Sequence, residues 1–313
     1  MKREIAIAVA SDESWAALSE DGMIVELRLA RAGSASHVGE IYLGRVSGLR
    51  PALPAALVDI GLSRPAFLSA EDVLPKGGFA RLHEGQAVTV TVVKDSRADK
   101  AAGVSMRIPD KSVIPPPGAR PPQRLDTPSP VAASLMASWL DNAPDHIRID
   151  DRAAYAELRH WLMAGRKELV ERLAFAAGKL YEDSGIGEAV EEALSTRLGL
   201  AGGGALVIEA TALGITIDVD SGHAKSALDA NLEASDDVAR QIRLRNLSGP
   251  ILVGFVGMNG KRGRERVLAA LKQALARQVK DCQVLGWTRL GHVELVRKRR
   301  APSLAELAGG QTR

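Results

Sequence analysis

The apolar positions change period several times along the chain, and each change marks an element. Residues 215–220 read Ile-Thr-Ile-Asp-Val-Asp. As a strand this places Ile215, Ile217 and Val219 on one face and Thr216, Asp218 and Asp220 on the other. From Leu228 the spacing becomes helical: Leu228, Leu232, Ser235, Ala239 and Ile242 form one stripe, with Asp229, Glu233, Asp236 and Arg240 away from it. A turn at Leu-Ser-Gly-Pro250 leads into an apolar run from Ile251 to Met258. Strand, helix and strand with a short return predict a crossover joining two neighbouring strands, so this part is α/β.

Elsewhere the texture differs. Residues 4–10 and 23–29 alternate and predict a small hairpin turning at Asp21-Gly22. From Val38 onward, short strand-like runs punctuated by Gly and Pro (38–46, 55–61, 64–68 and 87–94) predict a small barrel. Between Pro109 and Pro130 lie eight of the 15 prolines, a composition that supplies no core and predicts an extended linker, either a plain hinge or a segment for a proline-binding partner. Residues 131–197 predict helices, with Leu135, Trp139, Leu158, Trp161, Leu162, Leu169 and Leu173 inward and Asp150 or Asp151 as a cap. A further amphipathic helix through Leu268, Leu271 and Leu275 precedes strands at 283–288 and 293–297.

Composition narrows the class. A 313-residue chain with 46% hydrophobic content has enough apolar material for about two domains. A net charge of +3 and a pI near 9.0 lean mildly towards a polyanionic partner. The single Cys282 excludes an internal disulfide and a paired-Cys metal knuckle. The apolar stretch Ile5 to Ala10 is too short for a signal-peptide core or a membrane span, so a cytoplasmic protein with no membrane partner is expected. The sequon at Asn246-Leu-Ser248 is then read as a helix end. His160 has no partner at metal-ligand spacing and is read as a surface or packing histidine.

The run Ile217-Asp218-Val-Asp220-Ser, followed by Asn231-Leu-Glu-Ala, Ala239-Arg-Gln-Ile-Arg-Leu-Arg245 and Gly-Pro-Ile-Leu-Val, resembles the catalytic domain of the ribonuclease E/G family. The runs around Gly44-x-Val46, Leu57-Val-Asp-x-Gly61, Phe67-Leu and Gly85-Gln-x-Val88 resemble that family's S1 domain, an oligonucleotide-binding (OB-fold) barrel. The resemblance implies a mixed-sheet α/β nuclease body with an inserted S1-like barrel. Its expected parts are body strands (1–36), barrel (37–108), Pro-rich linker (109–130), helical part (131–200), catalytic-like α/β domain (201–304) and tail (305–313). It covers nearly all of the chain except the linker.

Function follows as an expectation from that resemblance. Single-stranded RNA would stack on Phe67, the strongest candidate, with Tyr42, Arg45, Lys94, Arg97 and Lys100 as weaker ones. Read without the resemblance, Phe67 is more often barrel core than RNA platform. The basic cluster Lys261, Arg262, Arg264 and Arg266, with Lys298-Arg-Arg300, would guide the phosphate backbone or simply be a solvated loop. The linker occupies the place of the family's 5′-monophosphate sensor, so no 5′-end sensing is expected. The chain also stops before a zinc link, which leaves no zinc and a monomer or weak homodimer.

The resemblance departs at the metal site. The family holds Mg²⁺ on two Asp residues at adjacent strand ends, with an Asn two positions after the first. Here Asp218 matches the first Asp, Asp220 stands for the Asn, Gly254 for the second Asp, and Gly257 for a further Asp. Asp218 and Asp220 are therefore the candidate catalytic residues and metal ligands, with formal charge preserved but moved. Two ligands from one strand face grip an ion from one side, so hydrolysis should be slow or absent. Two readings stay open: a Mg²⁺-dependent endoribonuclease, and an RNA-binding protein that has lost the chemistry. Without the resemblance, Asp218 and Asp220 read as merely the wet face of a strand.

Overall fold

Three antiparallel strands open the chain: β1 (Arg3–Val9), β2 (Glu13–Glu20) and β3 (Met23–Arg31). Asp21 and Gly22, both at positive φ (50° and 87°), turn β2 into β3, and β2 also pairs with β1. The hairpin expected between 4–10 and 23–29 is thus not formed, because β2 lies between them. Its Ser-Trp-Ala-Ala-Leu is buried on both faces, so the strand shows no alternation to detect. The structure is a computed structural model describing residues 1–31, 37–50, 52–96, 100–108, 113–126, 129–258, 260–279, 281–299 and 301–309. Arg97 and Arg300 fall outside the described residues. The chain divides into two compact units, Met1–Gly33 with Pro130–Arg313, and Ser34–Ser129.

The second unit is a closed barrel. Its strands are β4 (Ile41–Arg50), β5 (Ala55–Asp59), β6 (Ala66–Ser69), β7 (Ala87–Lys94) and β8 (Gly103–Ser105), with β9 (Gln123–Arg124) added outside β4. The ring runs β4, β5, β6, β8, β7 and back to β4. Val46, Val58, Ala66, Leu68, Val90 and Val104 fill it. Closure requires a glycine where β4 crosses β5, since a Cβ on Gly44 would sit 2.5 Å from Val58 Cγ1 and 3.0 Å from the Asp59 carbonyl. The Pro-rich segment differs from a plain linker at its end. Arg124 on β9 donates to Glu40 at 2.6 Å and to Asp126 at 2.8 Å, while Asp126 accepts from the Ile41 amide at 2.8 Å.

In the first unit the chain resumes with α1 (Val131–Met136), β10 (His146–Ile149), α2 (Arg152–Gly165), β11 (Leu173–Phe175), α3 (Leu180–Asp183) and α4 (Ile186–Leu194). A region expected to be helical throughout contains two strands, and both join the N-terminal sheet in the order β11-β10-β1-β2-β3. They are too short, at four and three residues, to show a period. Asp151 caps α2 through the Ala154 amide at 2.8 Å, whereas Asp150 accepts from the amides of Val9 and Leu180. Leu135, Trp139, Leu158, Leu162, Leu169 and Leu173 are buried together, and Trp161 packs partly buried against them.

The remaining sheet has six strands, in the order β12 (Arg197–Gly199), β13 (Ala205–Ala210), β14 (Ile215–Asp220), β15 (Gly249–Gly254), β17 (Val293–Arg297) and β16 (Cys282–Trp287). Helix α5 (Ala227–Leu244) joins β14 to its parallel neighbour β15, and α6 (Lys261–Gln278) leads on to β16. Ile217, Val219, Ile251, Val253, Val293 and Leu295 pack with both helices in one core. Asn246 ends α5 with φ 51°, as read for a helix end. Arg243 ties α5 to the N-terminal sheet, gripping Glu20 with two bonds of 2.9 Å and Glu26 with one of 2.8 Å. The chain closes with α7 (Leu304–Ala308) under a Ser303 and Glu306 capping box.

Candidate functional site

Alternation along β14 sorts its residues as the sequence requires: Ile217 and Val219 are buried, while Asp218 and Asp220 project to solvent from the other face. β15 runs parallel beside it with Asp218 and Gly254 in register. The C-terminal ends of both strands and the N-terminal ends of α5 and α6 therefore share one end of the sheet, the usual mouth of such an arrangement. β17 lies antiparallel on the far side of β15, with Val253 opposite Val293, which brings His292 level with Gly254. A Cβ on Gly254 would lie 2.8 Å from Asp218 Oδ1 and 3.5 Å from His292 Nδ1. At Gly257 a Cβ would meet nothing within 4 Å, so a side chain is missing there without being excluded.

Asp220 behaves differently from Asp218. Arg197 Nη2 donates to its Oδ2 at 2.9 Å and the Gly222 amide to its Oδ1 at 3.0 Å. The Arg197 hydrogen bond, then that of Gly222, holds this carboxyl below the usual carboxylate range. It stays ionised near neutrality, with its charge answered by a guanidinium. Both partners are about half exposed, so the pair orients the carboxylate more than it stabilises the fold.

Two other contacts shape the mouth. Asn231, fully buried on α5, clamps the chain after β15 by donating to the Val256 carbonyl and accepting from the Val256 amide, both at 2.9 Å. At the start of α6, Lys261, Arg262 and Arg264 are exposed; Gly260 gives no side-chain cap, and the first turn has no acidic residue. Lys261 reaches Glu265 at 3.8 Å, and the Arg264 guanidinium lies 5.7 Å from the Trp287 ring centre. The indole N–H donates to the Arg264 carbonyl at 3.2 Å, and Phe255 packs on the same ring.

On the barrel, Phe67 is 41% exposed on β6. It pairs with Leu57 on β5 and with Gly103 on β8. Over Gly103 lies the Lys94 side chain, its Cβ, Cγ and Cδ all within 3.7 Å of the position a glycine Cβ would take. The result is an exposed ring bordered by Leu57 on one side and an amphipathic lysine on the other. Arg45 and Lys100 are exposed as well, Arg45 reaching the Pro121 carbonyl at 3.5 Å. Tyr42 is a correction: it is 7% exposed and donates to the Glu40 carboxylate at 2.5 Å. Burial first, then that bond, raises its phenol. It belongs to the barrel core and offers no face for stacking.

Sequence reasoning missed Arg197, His292 and Trp287, and quoted Asn231 within a family motif without giving it a role. Nothing local marks the first three, because each acquires its place only through a pairing between distant segments. His160 is exposed on α2, away from any such grouping. Among the described residues no three or more His, Cys, Asp or Glu side chains are grouped to hold a metal ion, and no helix is long and apolar enough to cross a membrane.

A closed five-stranded OB-like barrel set within the sequence of an α/β body, with an aspartate-bearing parallel strand pair, defines a nuclease-like architecture. Residues 114–300 match the ribonuclease E/G family. The chain is 27% identical to ribonuclease G of Escherichia coli K12 over 397 aligned positions, covering 97% of this chain and 81% of that protein. It is 27% identical to ribonuclease G of Haemophilus influenzae over 394 positions, covering 96% and 80% respectively. To ribonuclease E of Escherichia coli K12 it is 25% identical, across 98% of this chain and 38% of that protein. The protein belongs to the ribonuclease E/G family.

The residues present do not fit a resident Mg²⁺. This ion takes hard oxygen ligands, commonly one or two carboxylates, in a near-octahedral shell. Asp218 supplies one carboxylate, Asp220 is engaged by Arg197, and the facing strand supplies glycine at 254 and an imidazole at 292. The expected ligands Asp218 and Asp220 both project from one strand face, and of the two Asp220 is engaged by Arg197.

Proposed function

We propose that this protein is an RNA-binding member of its family, holding single-stranded RNA on the barrel, with a sheet mouth that no longer supports Mg²⁺-dependent phosphodiester hydrolysis. The observation that carries the reading is the contrast at Gly254: a carboxylate is absent opposite Asp218, and the second aspartate on β14 is paired with Arg197. Without two convergent carboxylates, nothing fixes an ion against both the scissile phosphate and the attacking water. The barrel supports the binding half of the proposal. Phe67 presents a ring for one nucleobase, and Lys94 beside it supplies a cation for the adjacent phosphate. Arg45 and Lys100 extend the basic surface, and Lys261, Arg262 and Arg264 provide a second one at the sheet mouth.

With about twenty residues where the resembled family carries its 5′-end sensor, binding should not distinguish a 5′-monophosphate from a 5′-hydroxyl. The single cysteine fits a cytoplasmic setting. Fluorescence anisotropy with a labelled unstructured RNA tests the binding half: Phe67→Ala should weaken it while Asp218→Asn leaves it unchanged. Equal affinities for wild type and Phe67→Ala would sink it.

A further inference from the structure

We propose that a cavity at the opposite end of the six-stranded sheet from the mouth binds a small monocarboxylate with a short apolar body, its carboxylate held by the buried Arg245 guanidinium. This goes beyond RNA binding and does not rest on it.

The cavity, of about 320 Å³, lies among the turn after α4, the joined ends of β13 and β14, the end of α5 and the start of α7. That volume stands at the lower end of the range for small-molecule sites, roughly 300 Å³ upward. Ile215 borders it from the first position of β14 and, by alternation, from the face opposite Asp218, so cavity and mouth are separate.

Its floor is a charge without a counter-charge. Arg245 is only 5% exposed. Its Nε donates to Gln241 Oε1 at 2.6 Å, Nη1 to the Ser195 carbonyl at 2.6 Å and Nη2 to the Glu192 carbonyl at 3.0 Å. All three acceptors are neutral, and one N–H on each terminal nitrogen is left over. Among the described residues Arg245 has no ion-pair partner, because Glu192 gives its carboxylate to Arg240 and Gln241. Burial pulls the Arg245 guanidinium down to about 10, so it is still charged at neutral pH. A buried cation lacking an anion is costly, and a ligand carboxylate supplies that anion through charge-assisted hydrogen bonds.

The walls select the rest of the ligand. Ile208, Ile215 and Leu247 are apolar, and Ala210 leaves room between them. Glu209 also borders the cavity, but alternation along β13 turns its side chain away from the face of Ile208 and Ala210. Arg245 is the one cation of the wall among the described residues, which suits a monoanion over a dianion such as phosphate. The wall is fixed in place: the Leu304 amide donates to the Arg245 carbonyl at 2.9 Å, and the Asn246 side chain to the Pro302 carbonyl at 2.8 Å.

The test is isothermal calorimetry of the full chain with 4-methylpentanoate, 4-methylpentan-1-ol and inorganic phosphate. The result expected is one saturable equivalent of 4-methylpentanoate, with the alcohol and phosphate each at least about tenfold weaker. Arg245→Gln should lose that equivalent, and circular dichroism melts show whether the variant still folds. Ala210→Phe, which fills the cavity and leaves Arg245 in place, should lose it as well, whereas Glu209→Gln should titrate like the wild type. No saturable binding of 4-methylpentanoate, equal binding of the alcohol, or a wild-type titration in folded Ala210→Phe would each overturn the proposal. RNA affinity measured on the same samples keeps this result distinct from failure of the RNA reading, which depends on Phe67.

Discussion

The barrel face around Phe67 and the sheet mouth around Asp218 are both built from side chains that stand out from paired strands, yet they differ in what their chemistry demands. A stacking surface tolerates change, because any exposed ring with a cation nearby offers a nucleobase a partner. A Mg²⁺ site does not, because its ligands must converge within a fraction of an ångström. Phe67 stays exposed with Leu57 beside it, so the proposed stacking surface needs no further aromatic to be present. Gly254 opposite Asp218 removes half of a pair for which Asp220, turned towards Arg197, is no substitute. Conserved total charge is therefore a poor guide to a conserved site.

The largest effect expected is on the barrel. Phe67→Ala should cost about 1–3 kcal/mol of RNA affinity, the usual loss of one stacked base, while Phe67→Tyr keeps it. Filter binding at fixed salt measures both, and an unchanged affinity would make Phe67 mere surface. Next comes restoration of the mouth. In Gly254→Asp the new Cβ pushes against the flexible Asp218 carboxylate at 2.8 Å, so Asp218 can turn and two carboxylates then face one gap. Mg²⁺ affinity should rise about tenfold or more, roughly 1.4 kcal/mol, by competition with Mn²⁺ in electron paramagnetic resonance. No gain would show that more than one residue separates this mouth from a Mg²⁺ site.

Smaller effects sharpen the same contrast. Lys94→Ala should lower RNA affinity about equally for all sequences and flatten the slope of log affinity against log salt by about 0.7, one phosphate's worth for a single strand. An unaltered slope would remove Lys94 from the phosphate path. The smallest effect concerns Asp220. Its folded carboxyl is depressed below the ordinary value, so pairing with Arg197 is complete above that value and is lost only as pH falls through the depressed one. Between pH 5 and 8 the pair should not change. Nuclear magnetic resonance of the Asp220 carboxyl should show no titration in that window, and in Arg197→Ala its midpoint should return towards the ordinary aspartate range. A midpoint inside the window in the wild type would mean the pair is not formed.

The alternation of 215–220 and the helical stripe of α5 made the α/β core legible in the sequence, because each is long enough to show its period and has one wet face. β2, β10 and β11 were not legible: the first is buried on both faces and the others are three or four residues long. At the site, Asp218 could be named from its strand pattern and from the family resemblance. His292 could not, since it comes level with Gly254 only after Val293 on β17 pairs with Val253 on β15, across the 39 intervening residues 254–292. Arg197 likewise becomes Asp220's partner only once β12, β13 and β14 are laid side by side. Tyr42 was misassigned because a strand of a closed barrel has an inner face that sequence alone does not label, and its hydroxyl found Glu40 there.

The most direct measurement incubates the protein with an end-labelled, unstructured RNA in Mg²⁺ or EDTA, beside Phe67→Ala and Asp218→Ala, and resolves both the complexes and the RNA lengths. The result expected is a retarded, intact RNA with or without Mg²⁺, the shift weakened by Phe67→Ala and untouched by Asp218→Ala. Internal cuts that require Mg²⁺ and vanish in Asp218→Ala would contradict it, and would mean that one carboxylate at this mouth is enough for hydrolysis.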